Sequence, residues 1–72
     1  MMLSMAEERK EYIVEDIKTN DEELNSFLFS LGCYPGEPIT VIKRRKSGSI
    51  VVIKDGRYNF DKHHCNAITI KE

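Results

Sequence analysis

"IVVIKDGRYNF", residues 50–60, is the stretch of sequence that decides the fold. Its two halves are rich in β-branched and aromatic residues, and Asp55-Gly56 between them is a dipeptide that accepts the positive φ angles of a tight two-residue turn. The stretch therefore predicts a β-hairpin with this dipeptide at its tip. In that register Ile53 faces Tyr58. The predicted core face then consists of Val51, Ile53, Tyr58 and Phe60.

Three segments outside the hairpin also have the composition of short strands. They are residues 11–17, 38–46 and 67–71. A loop at 47–49 joins the second strand to the hairpin, and a short turn through 61–66 leads into the last strand. In that last strand Ile68 and Ile70 alternate inward. The sequence thus predicts five short strands.

One helix is predicted between the first and second strands, over residues 21–31. Its apolar positions recur at i, i+3, i+4 and i+7, and they are Leu24, Phe27, Leu28 and Leu31. Asn20 is expected to cap its N-terminus, with Glu23 three residues later as in a capping box. Gly32 stands where a left-handed residue would end the helix.

A chain of 72 residues forms a single small domain, 1–72, in which we expect residues 1–8 to be flexible. Five strands of this length are too few for a two-layer sandwich, but they can curl into a small barrel that the helix closes at one end. The predicted fold is therefore mostly β, an SH3-like barrel of about five antiparallel strands with one α-helix between the first and second. So small a core has no room for a catalytic pocket with supporting side chains, so an enzyme is not expected.

The net charge is −1, but the charge is distributed unevenly. Residues 1–36 carry eight acidic and three basic side chains, whereas residues 37–72 carry four acidic and eight basic ones. Such an asymmetry suits a protein partner at least as well as a nucleic acid.

We expect a cytoplasmic protein. The opening MMLSMAEERKEY lacks the basic and apolar regions of a secretory signal, and no stretch is apolar enough to insert into a membrane. Thiols stay reduced in the cytosol, so Cys33 and Cys65 are expected to be free. Edge strands in so small a barrel can pair between chains, which leaves a monomer or a weak homodimer as the expected state.

The segment DKHHCNA, residues 61–67, places both histidines beside a cysteine. One hypothesis is a direct binding site for Fe²⁺ or Zn²⁺. Its ligands would be Asp61, His63, His64 and Cys65, joined by Cys33 if the fold brings it close. The spacing opposes this, because at most two of three consecutive side chains can converge on one point, and structural zinc sites have spacers between four ligands. The interpretation that the spacing favours is a small buried Cys65 that follows two exposed turn histidines.

The densest basic run lies at the end of the second strand and consists of Lys43, Arg44, Arg45 and Lys46. In a strand these side chains alternate between faces. No aromatic residue lies beside them as a stacking platform for bases, so nucleic acid is not an expected partner, and a small nucleic-acid-binding barrel is only a further alternative. A contact with an acidic protein surface is favoured.

Ile50 and Val52 extend this candidate partner surface, because they are apolar on the hairpin face that they share with Asn59. They are either covered by a terminal segment or exposed to a partner. Phe29, one position off the apolar stripe of the helix, poses the same choice.

The segment FLFSLGCYPGEPITVIKRRKSGSIVVI, residues 27–53, resembles the small ferrous iron transport protein A family, FeoA. The resemblance rests on Leu31-Gly32 at the end of the helix, Pro35-Gly36 after two further residues, and a strand with basic residues. It extends over most of residues 3–71. The family commonly has a small alanine where Cys65 stands, which again implies that this thiol is buried.

This resemblance implies an SH3-like barrel and a cytosolic accessory protein without enzyme activity. It implies binding to the cytoplasmic part of the large membrane ferrous iron transporter. The same domain is similar to the C-terminal SH3-like module of metal-dependent repressors.

Overall fold

The computed structural model describes all residues, 1–72, and the five strands and the helix between the first two are confirmed. The elements are a 3₁₀ helix Leu3–Met5, β1 Glu11–Ile17, α1 Glu22–Leu31, β2 Pro38–Arg45, β3 Gly48–Ile53, β4 Gly56–Phe60, α2 Lys62–Ala67 and β5 Ile68–Lys71. The strands form one antiparallel sheet in the order β4-β3-β2-β1-β5. No helix is long and apolar enough to pass through a lipid bilayer.

The β3–β4 hairpin forms, but the predicted turn at Asp55-Gly56 is wrong by one position. Ile53 pairs with Gly56, so the two turn residues are Lys54 and Asp55. Lys54 adopts the left-handed conformation, with φ of 52°, and Gly56 is the first residue of β4. The pairing is therefore displaced by two residues from the predicted register.

Gly56 explains why this register is possible. The side chain of Tyr58 fills the space that a Cβ at Gly56 would occupy, so glycine in the strand lets the tyrosine ring lie along the sheet. A displacement of two residues keeps every side chain on its predicted face, because side chains alternate with a period of two. Buried on that face are Val51, Ile53 and Phe60, with Tyr58 half-buried against them.

Helix α1 begins at Glu22, one residue later than predicted. Asp21 is the N-cap in place of Asn20, and its side chain accepts a hydrogen bond from the Leu24 N–H at 3.1 Å. An ionised carboxylate at this position interacts better than an amide with the positive end of the helix dipole. Gly32 ends the helix with φ of 91°, as predicted.

Two of the four predicted apolar positions of α1, Leu24 and Leu28, are buried in the core, and Leu31 packs against it. Phe27 is an exception, since 46% of it is exposed. Its ring lies edge-on to His64 with 5.8 Å between ring centroids. It therefore covers α2 from outside rather than filling the core.

Residues 1–8, for which flexibility was predicted, lie packed against the sheet. Leu3 and Ala6 are buried, and Met2 forms a bridge with Thr69 of β5. The Ile70 N–H donates to the Met1 carbonyl at 2.7 Å. The N-terminal segment therefore runs beside the outer edge of β5.

The core is one hydrophobic cluster of 16 buried residues. It takes alternate positions of the strands, the inner face of α1, the N-terminal segment and α2. Its members are Leu3, Ala6, Tyr12, Val14, Leu24, Leu28, Cys33, Ile39, Val41, Val51, Ile53, Phe60, Cys65, Ala67, Ile68 and Ile70. Ile68 and Ile70 thus face inward, as predicted.

Candidate functional site

A bulge in β2 divides the basic run between two faces of the sheet. The pairing with β3 shifts between Val41 and Lys43, so that Lys43 lies opposite Ile50 and Arg44 opposite Ser49. One extra residue in a strand resets the alternation of its side chains. Lys43 therefore shares the outer face with Ile50, whereas Arg44 shares the inner face with Ser49, which is buried.

Arg44 is held at the end of the sheet by the N-terminal segment. Its main-chain N–H donates to Glu8 Oε2 at 2.6 Å, and its Nη2 donates to the Leu3 carbonyl at 3.3 Å. None of the four basic side chains of residues 43–46 takes part in an ion pair. Their charges are therefore available to a ligand or a partner.

The outer face beside the bulge carries the two apolar residues that the sequence singled out. Ile50 and Val52 are each half-buried, and Val52 lies opposite Thr40 of β2. Part of each side chain is therefore accessible to a partner. Together with Lys43 they form a small apolar patch bordered by positive charge, called here the outer β2–β3 patch.

A cavity of about 200 Å³ opens on the other side of the same bulge. Three elements surround it: the N-terminal segment, the β2–β3 turn and α2. The side chains that concern its chemistry are Ser4, Arg44, Arg45, Ser49, Lys62 and Asn66. Sequence reasoning singled out the two arginines but missed the other four, because they come from three distant parts of the chain.

The predicted turn through 61–66 is instead mostly the helix α2. Asp61 is its N-cap and accepts from the His64 N–H at 2.9 Å, while His64 Nδ1 lies 2.6 Å from the same carboxylate oxygen. These two contacts, the main-chain one first, hold the pKa of Asp61 below its usual value. The His64 ring also stacks on Phe60, with 5.4 Å between ring centroids. Asp61 and His64 are thus brought together by contacts that shape the helix.

The four proposed metal ligands do not converge. Cys65 is 3% exposed and belongs to the core, whereas His63 is exposed at the surface. No group of three or more His, Cys, Asp or Glu side chains lies close enough to hold a metal ion. Cys33 is buried in the core and forms no disulfide with Cys65.

Both thiols are expected to resist alkylation in the folded protein. Burial raises the pKa of Cys33 to about 12 and also raises the pKa of Cys65, and the thiolate is the reactive form. At neutral pH, iodoacetamide should leave both cysteines unmodified by mass spectrometry over a period that modifies both fully in denaturant. Rapid labelling of Cys65 alone in the native protein would contradict this and would show that α2 opens locally.

Comparisons with known proteins agree with this architecture. The model of the FeoA domain family matches residues 1–72. None of the curated protein sequences matches the chain.

Three solved structures are similar over 99% of this chain. FeoA of Stenotrophomonas maltophilia complexed with zinc, described as an SH3 domain protein, has 16% identity and a TM-score of 0.87 over 89% of its own length. An iron uptake regulatory protein, also FeoA, has 22% identity and a TM-score of 0.86 over 95% of its length. A manganese-dependent transcriptional repressor has 19% identity and a TM-score of 0.89 over 40% of its length.

These likenesses confirm the predicted SH3-like fold. Since the family model covers the whole length of the sequence, the chain belongs to the FeoA domain family, which is associated with ferrous iron transport.

Proposed function

We propose that this chain is a cytoplasmic accessory protein of ferrous iron transport that acts by binding a protein partner. The partner is the cytoplasmic part of a membrane ferrous iron transporter. Membership of the FeoA domain family supports the process, and the outer β2–β3 patch supports the mode of action. The chain acts as a binding module and catalyses no reaction.

The observation that carries the proposal is the position of the exposed Lys43 beside the half-buried Ile50 on the outer face of the sheet. Interfaces between proteins commonly have an apolar centre with a polar rim, and charge on that rim speeds association with a complementary surface. Lys46 lies exposed at the adjacent β2–β3 turn. The complementary partner surface is therefore apolar at its centre and acidic at its margin.

Binding of this kind regulates a transporter if the partner surface exists in full in only one of its conformations. The bound domain then increases the population of that conformation, and the size of the shift is set by the difference between its affinities for the two transporter conformations. A domain without a catalytic site can act in this way, because the effect depends only on differential binding.

Charge reversal at the rim tests the proposal. We expect Lys43→Glu combined with Lys46→Glu to weaken binding to the transporter's isolated cytoplasmic domain at least tenfold by calorimetry, and the wild-type affinity to fall with added salt. The matched control is Lys71→Glu, which reverses an exposed charge on β5, at the opposite edge of the sheet from β3 and β4.

Equal weakening by the control and the double variant would show that the outer β2–β3 patch is not the surface that binds the partner. Failure of the wild-type chain to bind the domain at all would overturn the proposed mode of action.

A further inference from the structure

We propose that the cavity between the N-terminal segment, the β2–β3 turn and α2 binds a small phosphate-type oxyanion. The inference goes beyond the proposed transporter contact, since it concerns a different surface and a different class of ligand. It rests on the composition of the cavity, on its size and on the bulge that turns Arg44 towards it.

The cavity collects positive charge without neutralising it. Arg44, Arg45 and Lys62 line it, no acidic residue does, and none of the three cations forms an ion pair. Two carboxylates lie on neighbouring segments, but neither lines the cavity or forms an ion pair with its three cations. Glu8 accepts from the main-chain N–H of Arg44, and Asp61 accepts from the His64 N–H.

The remaining lining residues are Ser4, Ser49 and Asn66, whose side chains are neutral hydrogen-bond donors, together with Gly48 and the buried Cys65. Ser4 and Ser49 supply hydroxyl groups, and Asn66 supplies an amide. Ser49 is the one buried polar residue of the chain, at 7% exposure. Hydroxyls and amides beside guanidinium groups are the donors that surround oxyanions in proteins, where an arginine fork matches two oxygens of one phosphate.

The size of the cavity suits a small ligand. Its volume of about 200 Å³ lies below the roughly 300–1,000 Å³ of pockets for drug-sized ligands. Three cations favour an anion that carries more than one negative charge, as a phosphate group does near pH 7, over a monovalent carboxylate. The ligand is therefore inorganic phosphate or the phosphate group of a small ester.

The bulge in β2 shows that the sequence positions Arg44 at this cavity. Without the shift at Val41–Lys43 the alternation would place Arg44 on the outer face, away from Ser49 and Cys65. With it, the arginine lines the cavity while its Nη2 donates to the Leu3 carbonyl. This position leaves further guanidinium N–H groups free for an anion.

The test is a titration of the whole chain with sodium phosphate, followed by ¹H–¹⁵N correlation spectra. Sodium chloride at equal ionic strength controls for screening, and sodium acetate tests a monovalent carboxylate. We expect saturable shifts at the amides of Gly48, Ser49, Lys62 and Asn66 with phosphate, and none of comparable size with chloride or acetate. Glycerol phosphate, titrated in parallel, distinguishes the source: equal affinity assigns the site to phosphate esters, and binding of inorganic phosphate alone assigns it to the free ion.

Matched variants separate the cavity from general attraction to a basic surface. Arg45→Gln and Lys62→Gln should each weaken phosphate binding about tenfold, the loss expected for one charged hydrogen bond. Lys43→Gln and Lys46→Gln remove neighbouring charges that do not line the cavity, and they should change the affinity less than twofold. Dispersed spectra verify that each variant is folded.

The proposal is overturned if phosphate gives no saturable shift, if chloride reproduces the shifts, or if the two lysine controls lose as much affinity as the cavity variants. The variants expected to weaken phosphate binding are at Arg45 and Lys62, whereas those expected to weaken transporter binding are at Lys43 and Lys46. Failure of either proposal therefore leaves the other standing.

Discussion

Replacing Phe60 with alanine is expected to remove about 3–5 kcal/mol from the free energy of unfolding. The side chain is 2% exposed, and its ring stacks between Tyr58 and His64, with centroid distances of 6.4 and 5.4 Å. It therefore joins the core face of β4 to α2. At roughly 0.05–0.15 kcal/mol per residue, a chain of this length has a total stability of about 4–11 kcal/mol, so the variant should be close to unfolded.

Urea denaturation followed by circular dichroism measures this loss. Phe29→Ala is the control, because 66% of Phe29 is exposed and its ring only lies beside Tyr34, 5.0 Å away. The control should cost less than about 1.5 kcal/mol, the upper value for an aromatic pair. Equal costs for the two variants would contradict the placement of Phe60 in the core.

Gly48→Ala is expected to cost about 2–6 kcal/mol. Gly48 has φ of 154°, a conformation that other residues rarely adopt, and a Cβ there would lie 3.0 Å from the Asp61 Cα and overlap the Phe60 carbonyl oxygen. Backbone strain accounts for about 1–3 kcal/mol and the overlap for a similar amount. The overlap is with main chain, so no side-chain rotation can relieve it.

Gly36→Ala separates the two contributions. Gly36 also has a positive φ, 96°, but a Cβ at that position meets nothing within 4 Å. Gly36→Ala should therefore lower the free energy of unfolding only by the backbone strain. In thermal unfolding, Gly48→Ala should have a clearly lower melting temperature than Gly36→Ala. Equal melting temperatures would show that the turn moves away from β4 and absorbs the methyl group.

The sequence predicts those parts of this fold that depend on local patterns. The alternation in β3 and β4, the apolar repeat of α1 and the left-handed Gly32 each signal their structure within a few residues. The predicted register of the hairpin is wrong because both Lys54-Asp55 and Asp55-Gly56 can form a two-residue turn. The first one forms, and in that register Tyr58 packs over Gly56.

The features missed by sequence reasoning depend on distant contacts. Helix α2 has six residues, too few for a periodic pattern, and it is held by its Asp61 cap and by packing on Phe60. The bulge in β2 has no local signal, since Val41 and Lys43 would suit a regular strand. The cavity follows from that bulge, so neither its lining nor its charge could be predicted from the basic run alone.

The N-terminal segment along β5 has a consequence for self-association. An open antiparallel sheet has two edge strands, and the unpaired main-chain N–H and C=O groups on them can pair with strands of other molecules. Here Met1 and Met2 occupy part of the exposed side of β5, whereas β4 has no such neighbour. A homodimer built by strand addition would therefore join two β4 strands into a continuous sheet of ten, with Arg57 and Asn59 of each copy at the seam.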